Sequence, residues 1–450
     1  MSGSVLPGIF LTDNKLTITL KNKFLYVAGT AVIIELLLVL FDIFNGEGNM
    51  PFFMFIYFQI FLLCGLAFLV IKSKQPKDDK PYVPPVKLPV LIIAAGIIFR
   101  MTLIPSIPAT SPDVYRYIWE GKVVVNGFNP YQQAPDDPKL AHLKSEAWEK
   151  VGFKSMPSIY PPLAQTAFVL GYLISGDAPN VWGIKLIYLL CELLTLIFLL
   201  KLLHLKKVNP AYIILYAWMP VPIMEYFINA HIDVVGITFL ILFLYFMEKG
   251  KFSYSAVFFA LSFLSKFYPL MLFPLLIKRT GIKKLIPFTF IFLMITVLFY
   301  IPFITMDFAI KNALSMYISR WEFNGSIYNL IKIFSNGQTA RIICSILLVI
   351  TIGIISVNYR DFTKGSFGIL LAFIIFASTV YPWYLGWVAA VNPLLNFYSL
   401  FSLLFTVNFS NFTPLGKVWH EYWRVLVIEY IPFFILLYID LRKRIFPKKG

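Results

Sequence analysis

Apolar runs of about twenty residues, the length that crosses hydrocarbon, recur along the chain at 24–44, 51–71, 88–107, 181–203, 210–228, 284–304, 340–358 and 424–441. Shorter or broken runs occupy 162–176, 232–247, 253–264, 267–277, 366–382, 384–395 and 397–408. The pattern predicts an all-α polytopic membrane protein with about 11–13 transmembrane helices plus re-entrant or short ones. No soluble linker, low-complexity tract or short-period repeat intervenes, so residues 1–450 read as a single membrane domain. The opening "MSGSVLPGIFLTDNKLTITLKNK" lacks the parts of a cleavable signal, and the first span is expected to be its own anchor.

Lysine and arginine orient the spans. Lys72, Lys74, Lys77, Lys80 and Lys87 fill one link, Lys201, Lys206 and Lys207 follow another span, and Lys278, Arg279, Lys283 and Lys284 and the tail "LRKRIFPKKG" form two further clusters. These sides are expected to be cytoplasmic, the C-terminus included, in an inner cell membrane. The polar segment 108–160 carries six acids against six bases and follows an odd-numbered span, which puts it outside, facing the periplasm or exterior. The parity of crossings makes 162–176 an oblique or re-entrant helix. Basic residues at both ends of 253–277 suggest two half-helices meeting around "SKFYP", where Lys266 and Tyr268 would line a cavity, since irregular backbone at membrane depth needs such cover.

Composition removes other classes. With 59% apolar, 18% aromatic and 14% charged residues, the chain cannot be a soluble domain of this length. The net charge of +16 sits in short clusters between spans, so it reports topology and calls for no nucleic-acid partner. Cys64, Cys191 and Cys344 lie inside apolar runs and read as core residues.

Five polar-aromatic clusters, "RMTLIPSIPATSPDVYR", "SIYPPLAQ", "EYFINAHIDVV", "SRWEFNGSIYNL" and "STVYPWYLGW", fall at the outer ends of spans, as a site at the membrane surface requires. Asp113 leads as a carboxylate base: Pro112 fixes the backbone before it, and Arg116 lies one turn on, where a cation keeps a carboxylate ionised. Its alternative is to cap the helix starting at Val114 and pair with Arg116 for structure alone. Tyr115, Tyr117, Trp119, Phe128 and Tyr131 offer surfaces for a sugar, or belong to an interfacial belt. Gly127 and Pro130 supply the turn that folds the segment back.

In this order, "SPDVYRYIWEGKVVVNGFNPY", "SIYPPLAQ", "NAHIDVV", "LSKFYPLMLFPLL", "WEFNGSIYNL" and "VYPWYLGW" resemble bacterial C-type (GT-C) membrane glycosyltransferases, above all those using a polyprenyl-phosphate sugar and described as mannosyltransferases. The resemblance runs from about residue 88 to 400. It implies an outward-facing active site in the first large external loop, 108–160, with Asp113 as base. It further implies that Tyr160, Pro161 and Gln165 line the site, that Asn229, His231 and Asp233 form a second polar wall, and that Lys266, Tyr268, Asn324, Tyr381 and Trp383 complete the cavity in roles it does not fix; with Tyr117, Trp119 and Glu120 of the loop these are the expected substrate-binding residues. Three positions depart from the pattern: Pro112 replaces a second acid, Glu120 replaces an aspartate, and Tyr381 stands where a histidine is common.

A hexose, mannose by the resemblance, would pass from a polyprenyl-phosphate donor to a glycan or lipid-linked acceptor with inversion. Asp113 would take the hydroxyl proton, and Arg116, Lys266 and Arg320 would hold the phosphate. Arg100 and Arg320 also read as helix-end cations that snorkel, whereas Lys266 lies in an apolar run where snorkelling is hard. No cofactor and no metal site is expected: His231 with Asp233 lacks a third ligand, and Asp136 with Asp137 sits in a solvated turn. Glu35, Asp42, Glu192 and Glu429 read as paired structural acids, or as relay groups in the rival class, a lipid-linked-sugar flippase or transporter. An inert scaffold would not need five converging clusters. The sequons at Asn324 and Asn408 are matches of a common kind.

Overall fold

The structure is a computed structural model of the full chain that describes residues 4–6, 9–12, 15–44, 49–74, 87–304, 309–415 and 421–445. Most of the basic link after the second span and the last residues of the basic tail fall outside these.

The membrane body is helical. Long helices run over Leu20–Phe44 (α1), Met50–Lys72 (α2) and Lys87–Thr102 (α3), with α1 and α2 packed together and α3 against α1. Asp113–Val125 (α4) lies against Pro162–Ser175 (α5), followed by Trp182–Leu205 (α6), Asp233–Glu248 (α7) and Phe252–Ser265 (α8). The second half holds Phe273–Thr280 (α9), Ile282–Tyr300 (α10), Ala309–Arg320 (α11), Ser326–Ile333 (α12), Gly337–Asn358 (α13), Phe362–Phe376 (α14), Tyr398–Thr406 (α15) and Trp423–Ile445 (α16). Among the described residues five helices are long and apolar enough to cross a membrane, at 21–44, 50–72, 182–205, 282–303 and 337–358. Their exposed faces carry leucine, phenylalanine and valine, for example Leu190, Phe290 and Val349, as a surface bathed in lipid should.

Two features differ from the hydrophobic pattern. A small antiparallel sheet, Ser4–Leu6, Ile9–Thr12 and Lys15–Ile18, precedes α1. The run 210–228 is no continuous span but a chain of short turns: a 3-10 turn at Pro210–Ile213, one α turn at Ile214–Ala217 and a π turn at Val221–Glu225. Pro220 and Pro222 withdraw two amide donors from any regular helix there, and burial of the whole segment from Ile213 to Asp233 supplies protein cover for the irregular backbone. The run 384–395 breaks in the same way, into turns at Pro382–Tyr384, Leu385–Ala389 and Asn392–Leu394. The half-helix reading of 253–277 holds: α8 stops at Ser265, Lys266 is extended (φ −162°, ψ 141°), and Tyr268–Leu272 is a 3-10 turn leading into α9.

The acids of the spans are paired. Arg100 does not snorkel; it is fully buried, with its guanidinium 2.7 Å from Glu192, which also accepts from Tyr216 at 2.6 Å. Glu35 accepts from Thr102 (2.5 Å), Asp42 from Ser106 (2.6 Å) and Glu429 from Asn324 (2.7 Å). Both sequon asparagines, Asn324 and Asn408, are buried and closed to modification in the folded chain. The three cysteines are free.

Candidate active site

The site begins with the strap between α3 and α4. Asn229 holds that strap: its side-chain oxygen accepts from the amides of Ala109 (3.2 Å) and Thr110 (3.0 Å), and its amide nitrogen donates to Thr110 Oγ1 (2.6 Å). Pro112 then sets the start of α4, and Asp113 occupies the first helical position, where the helix dipole favours a carboxylate. Asp113 is therefore not the capping residue; Pro112 holds the cap position with no side-chain acceptor, and the Asp113 amide instead donates to Ser111 Oγ at 3.3 Å.

Arg116 does not pair with Asp113 either. Its Nε bonds Glu120 Oε1 at 2.8 Å, and its other nitrogens donate to the carbonyls of Gly152, Phe153 and Met156. Glu120 accepts in turn from Ser158 (2.7 Å) and Gln165 (2.7 Å). Arg116, Glu120 and Gln165 thus form a buried lock that fastens the segment 152–158 onto α4 and α5. Close approach of those helices rests on Gly121, where a Cβ would come within 2.2 Å of the Phe168 carbonyl oxygen. Gly127, at φ +82°, makes the turn that sends the chain back.

A cavity of about 740 Å³ opens beside Asp113. Asp113, Arg116, Tyr117, Tyr160, Lys266, Tyr268, Tyr381 and Trp383 all line it, joined by Tyr317, Trp321 and Arg341. Asp113 is 35% exposed, but what it faces is this recess in the protein. Burial pushes its carboxyl up to about 6, against the opposing pull of Lys266 and then Arg116.

Lys266 reaches the cavity because α8 breaks beneath it. Its ammonium is held by both Asp233 oxygens, at 2.7 and 2.8 Å, and lies over the rings of Tyr384 (4.3 Å) and Tyr268 (5.2 Å). Asp233 also accepts from Trp387 Nε1 at 2.7 Å. One wall is a continuous aromatic stack: Phe323 on Tyr381 (4.4 Å, 20°), Tyr381 on Trp383 (4.4 Å, 5°) and Trp383 on His231 (3.5 Å, 14°). The opposite character comes from α13, which presents Arg341, Cys344, Ser345 and Leu348 to the cavity. These lie on one helix face, running from a cation to apolar side chains over about 10 Å.

Several expected contacts lie elsewhere. Trp119 is buried against Trp148, Asn324 sits behind the wall bonded to Glu429 and Glu421, and Arg320 is exposed at the end of α11 and does not line the cavity. Glu120, Gln165, Asn229, His231 and Asp233 support lining residues or the strap from behind instead of lining the cavity themselves. Sequence reasoning missed Arg341 and Glu225. An acid inside the apolar run "VPIMEYF" is itself a signal, and Arg341 was hidden by its place in the first turns of a long apolar helix. Among the described residues no three His, Cys, Asp or Glu side chains are grouped to hold a metal ion.

The family described as alpha-(1->6)-mannopyranosyltransferase, N-terminal domain (MptA/B), matches residues 26–279, more than half of the chain. The chain belongs to this family. It is a multi-pass membrane glycosyltransferase of a mannosyltransferase family. The matched span contains Asp113, the strap, His231, Asp233 and Lys266, while Trp321, Arg341, Tyr381 and Trp383 lie beyond it. Two solved structures are similar at 12% identity: ArnT from Cupriavidus metallidurans bound to undecaprenyl phosphate (TM-score 0.45) and in the apo state (TM-score 0.44), each alignment covering 80% of this chain and 77% of that one. No curated protein sequence matches the chain.

Proposed function

We propose that this mannosyltransferase-family protein moves a mannose from a polyprenyl-phosphate donor to a hydroxyl of a glycan or lipid-linked acceptor, at the outer face of the cell membrane and with inversion. The observation that carries the proposal is one recess that joins a carboxylate of raised basicity, Asp113, a half-buried ammonium, Lys266, an aromatic wall and an apolar helix face. Each part matches one portion of the two substrates. Asp113 takes the acceptor hydroxyl proton as that oxygen attacks the anomeric carbon. The bond from that carbon to the phosphate oxygen breaks, and its electron pair leaves on the phosphate, where positive charge lowers the barrier.

Lys266 and Arg341 are the cations proposed for the phosphate. Arg341 bonds Trp321 O and Glu322 through Nη2, while its buried Nε has no hydrogen-bond partner among the described residues. Arg116 is committed to Glu120 and three carbonyls, so its part is to hold the loop. The apolar face of α13 suits a prenyl chain, and the Tyr381–Trp383 stack suits the face of a hexose. The proposed step calls for no cofactor.

The test uses the full chain in lipid nanodiscs with radiolabelled polyprenyl-phosphate mannose and a set of mannoside and glycolipid acceptors. Label in the acceptor, with inverted linkage, is the expected result. Donor that crosses the bilayer in vesicles without transfer would overturn the proposal in favour of a lipid-linked-sugar transporter.

A further inference from the structure

Behind Asp113, on the side away from the cavity, lies a second pair of ionisable groups. The His231 ring is fully buried and pressed against Trp383. Its Nδ1 stands 3.9 Å from Asp113 Oδ2 and its Nε2 stands 3.7 Å from Glu225 Oε2. Neither ring nitrogen has a hydrogen-bond partner among the described residues, and Glu225 Oε1 has none. The chain goes to some length to aim this ring. Glu225 ends a π turn, a form that recurs at functional sites. Ala230 takes a left-handed φ of +54°, costly for a residue with a Cβ, and the His231 amide bonds back to the Glu225 carbonyl at 3.1 Å. Asn229 donates to Glu225 Oε2 at 2.8 Å while holding the strap that carries Asp113. The other charges near this pair are Lys266, which lines the cavity, and its partner Asp233 behind it.

We propose that Glu225 and His231 form a proton-holding dyad behind Asp113, with His231 as a positioning residue for the base. This rests on the transferase activity proposed above. The Glu225 carboxylate accepts from His231 Nε2–H, which leaves the Nδ1 lone pair directed at Asp113. Separations of 3.7 and 3.9 Å exceed hydrogen bonds, but such contacts shorten when a site fills. When Asp113 has taken the acceptor proton, Nδ1 accepts that proton from its carboxyl group, and the imidazolium rests between two carboxylates. Asp113 returns to its anion, the phosphate leaves with the electron pair, and the proton retraces its route to water after product departs. The dyad thereby keeps the proton away from the newly formed phosphate, which would otherwise compete for it while the cavity is filled.

The full chain in nanodiscs, as wild type and as Glu225→Gln and His231→Gln, tests the dyad by two routes. Steady-state transfer in H2O/D2O mixtures is expected to give a curved proton inventory for the wild type and a linear one for Glu225→Gln. In that variant kcat should fall about 10- to 100-fold with KM within about twofold. Glu225→Gln with wild-type kcat and a curved inventory overturns the proposal, as does a loss of rate matched by loss of folded protein. The second route needs no activity: 15N-histidine spectra at pH 8, with the His231 signal assigned by its loss in His231→Gln, are expected to show the Nε2–H tautomer. An Nδ1–H tautomer overturns the dyad. Failure of all transfer by the wild type alongside an Nε2–H signal points to the proposed reaction, not to the dyad.

Discussion

Asp233→Asn is a searching perturbation because it changes one atom in the best-connected ion pair of the site. The wild-type carboxylate, 1% exposed, accepts two bonds from Lys266 and one from Trp387, all at 2.7–2.8 Å. The amide keeps one acceptor oxygen and turns a donor toward the ammonium. Two charge-assisted bonds are weakened and a half-buried ammonium loses its counter-ion, a change at or below the low end of the about 3–5 kcal/mol seen when a fully buried pair is broken from one side, since Lys266 opens on the cavity. Lys266 then has Asp113 as its remaining carboxylate. Removing the Asp233 charge and freeing the ammonium both favour the ionised form of Asp113, so its carboxyl moves below about 6. Two readouts follow. Thermal unfolding in nanodiscs should show a large loss of stability, most of it recovered in the double variant Asp233→Asn with Lys266→Met, which removes the orphaned charge. On the proposed mechanism the acid limb of kcat/KM should rise with pH through about 6 in the wild type as Asp113 loses its proton, and in the variant it should shift to lower pH, with a lower plateau because Lys266 now neutralises Asp113. Wild-type stability in Asp233→Asn, or an acid limb moved to higher pH, would refute this reasoning.

Other consequences are simpler to measure. Arg341→Ala should raise KM for the donor about tenfold or more, as loss of one charged contact of about 1.5–3 kcal/mol implies, whereas Arg320→Ala, at an exposed position away from the cavity, should leave donor kinetics unchanged. Gly121→Ala drives a methyl group into the Phe168 carbonyl and should destabilise the chain by roughly 1–3 kcal/mol or more, read as a lower unfolding temperature. Trp383→Ala removes the middle of the aromatic stack and should weaken acceptor or donor sugar binding by about 1 kcal/mol or more, read by titration with each substrate separately.

Hydropathy made the long helices legible, because an unbroken apolar run has few other uses. It misread 210–228, since a segment such as Ile213–Asp233 that is wrapped by protein on every side is as apolar as one wrapped by lipid, and only Pro210, Pro220 and Pro222 hinted at the difference. The break at Lys266 was legible for a sharper reason: a cation within an apolar run, followed by Phe-Tyr-Pro, needs both a bend and a partner. Its partner, Asp233, lies 33 residues away and could not be read from spacing. The pairing of Arg116 was read one turn in the wrong direction. Asp113 and Glu120 both flank it at helical spacing, and the choice fell to Glu120 because Ser158 and Gln165, from another segment, complete that carboxylate's bonds. Glu225 carried a local signal and Arg341 was hidden at the start of an apolar run, but the importance of both comes from neighbours that only the tertiary structure brings together.

The central claim is that one carboxylate, Asp113, activates the acceptor. It is tested most directly by single-turnover transfer from polyprenyl-phosphate mannose by Asp113→Asn, compared with wild type at pH 8 in the same nanodiscs, with donor binding and unfolding temperature measured alongside. A rate lowered at least about 100-fold, with folding and donor binding retained, is the predicted outcome. Transfer at the wild-type rate would contradict the account.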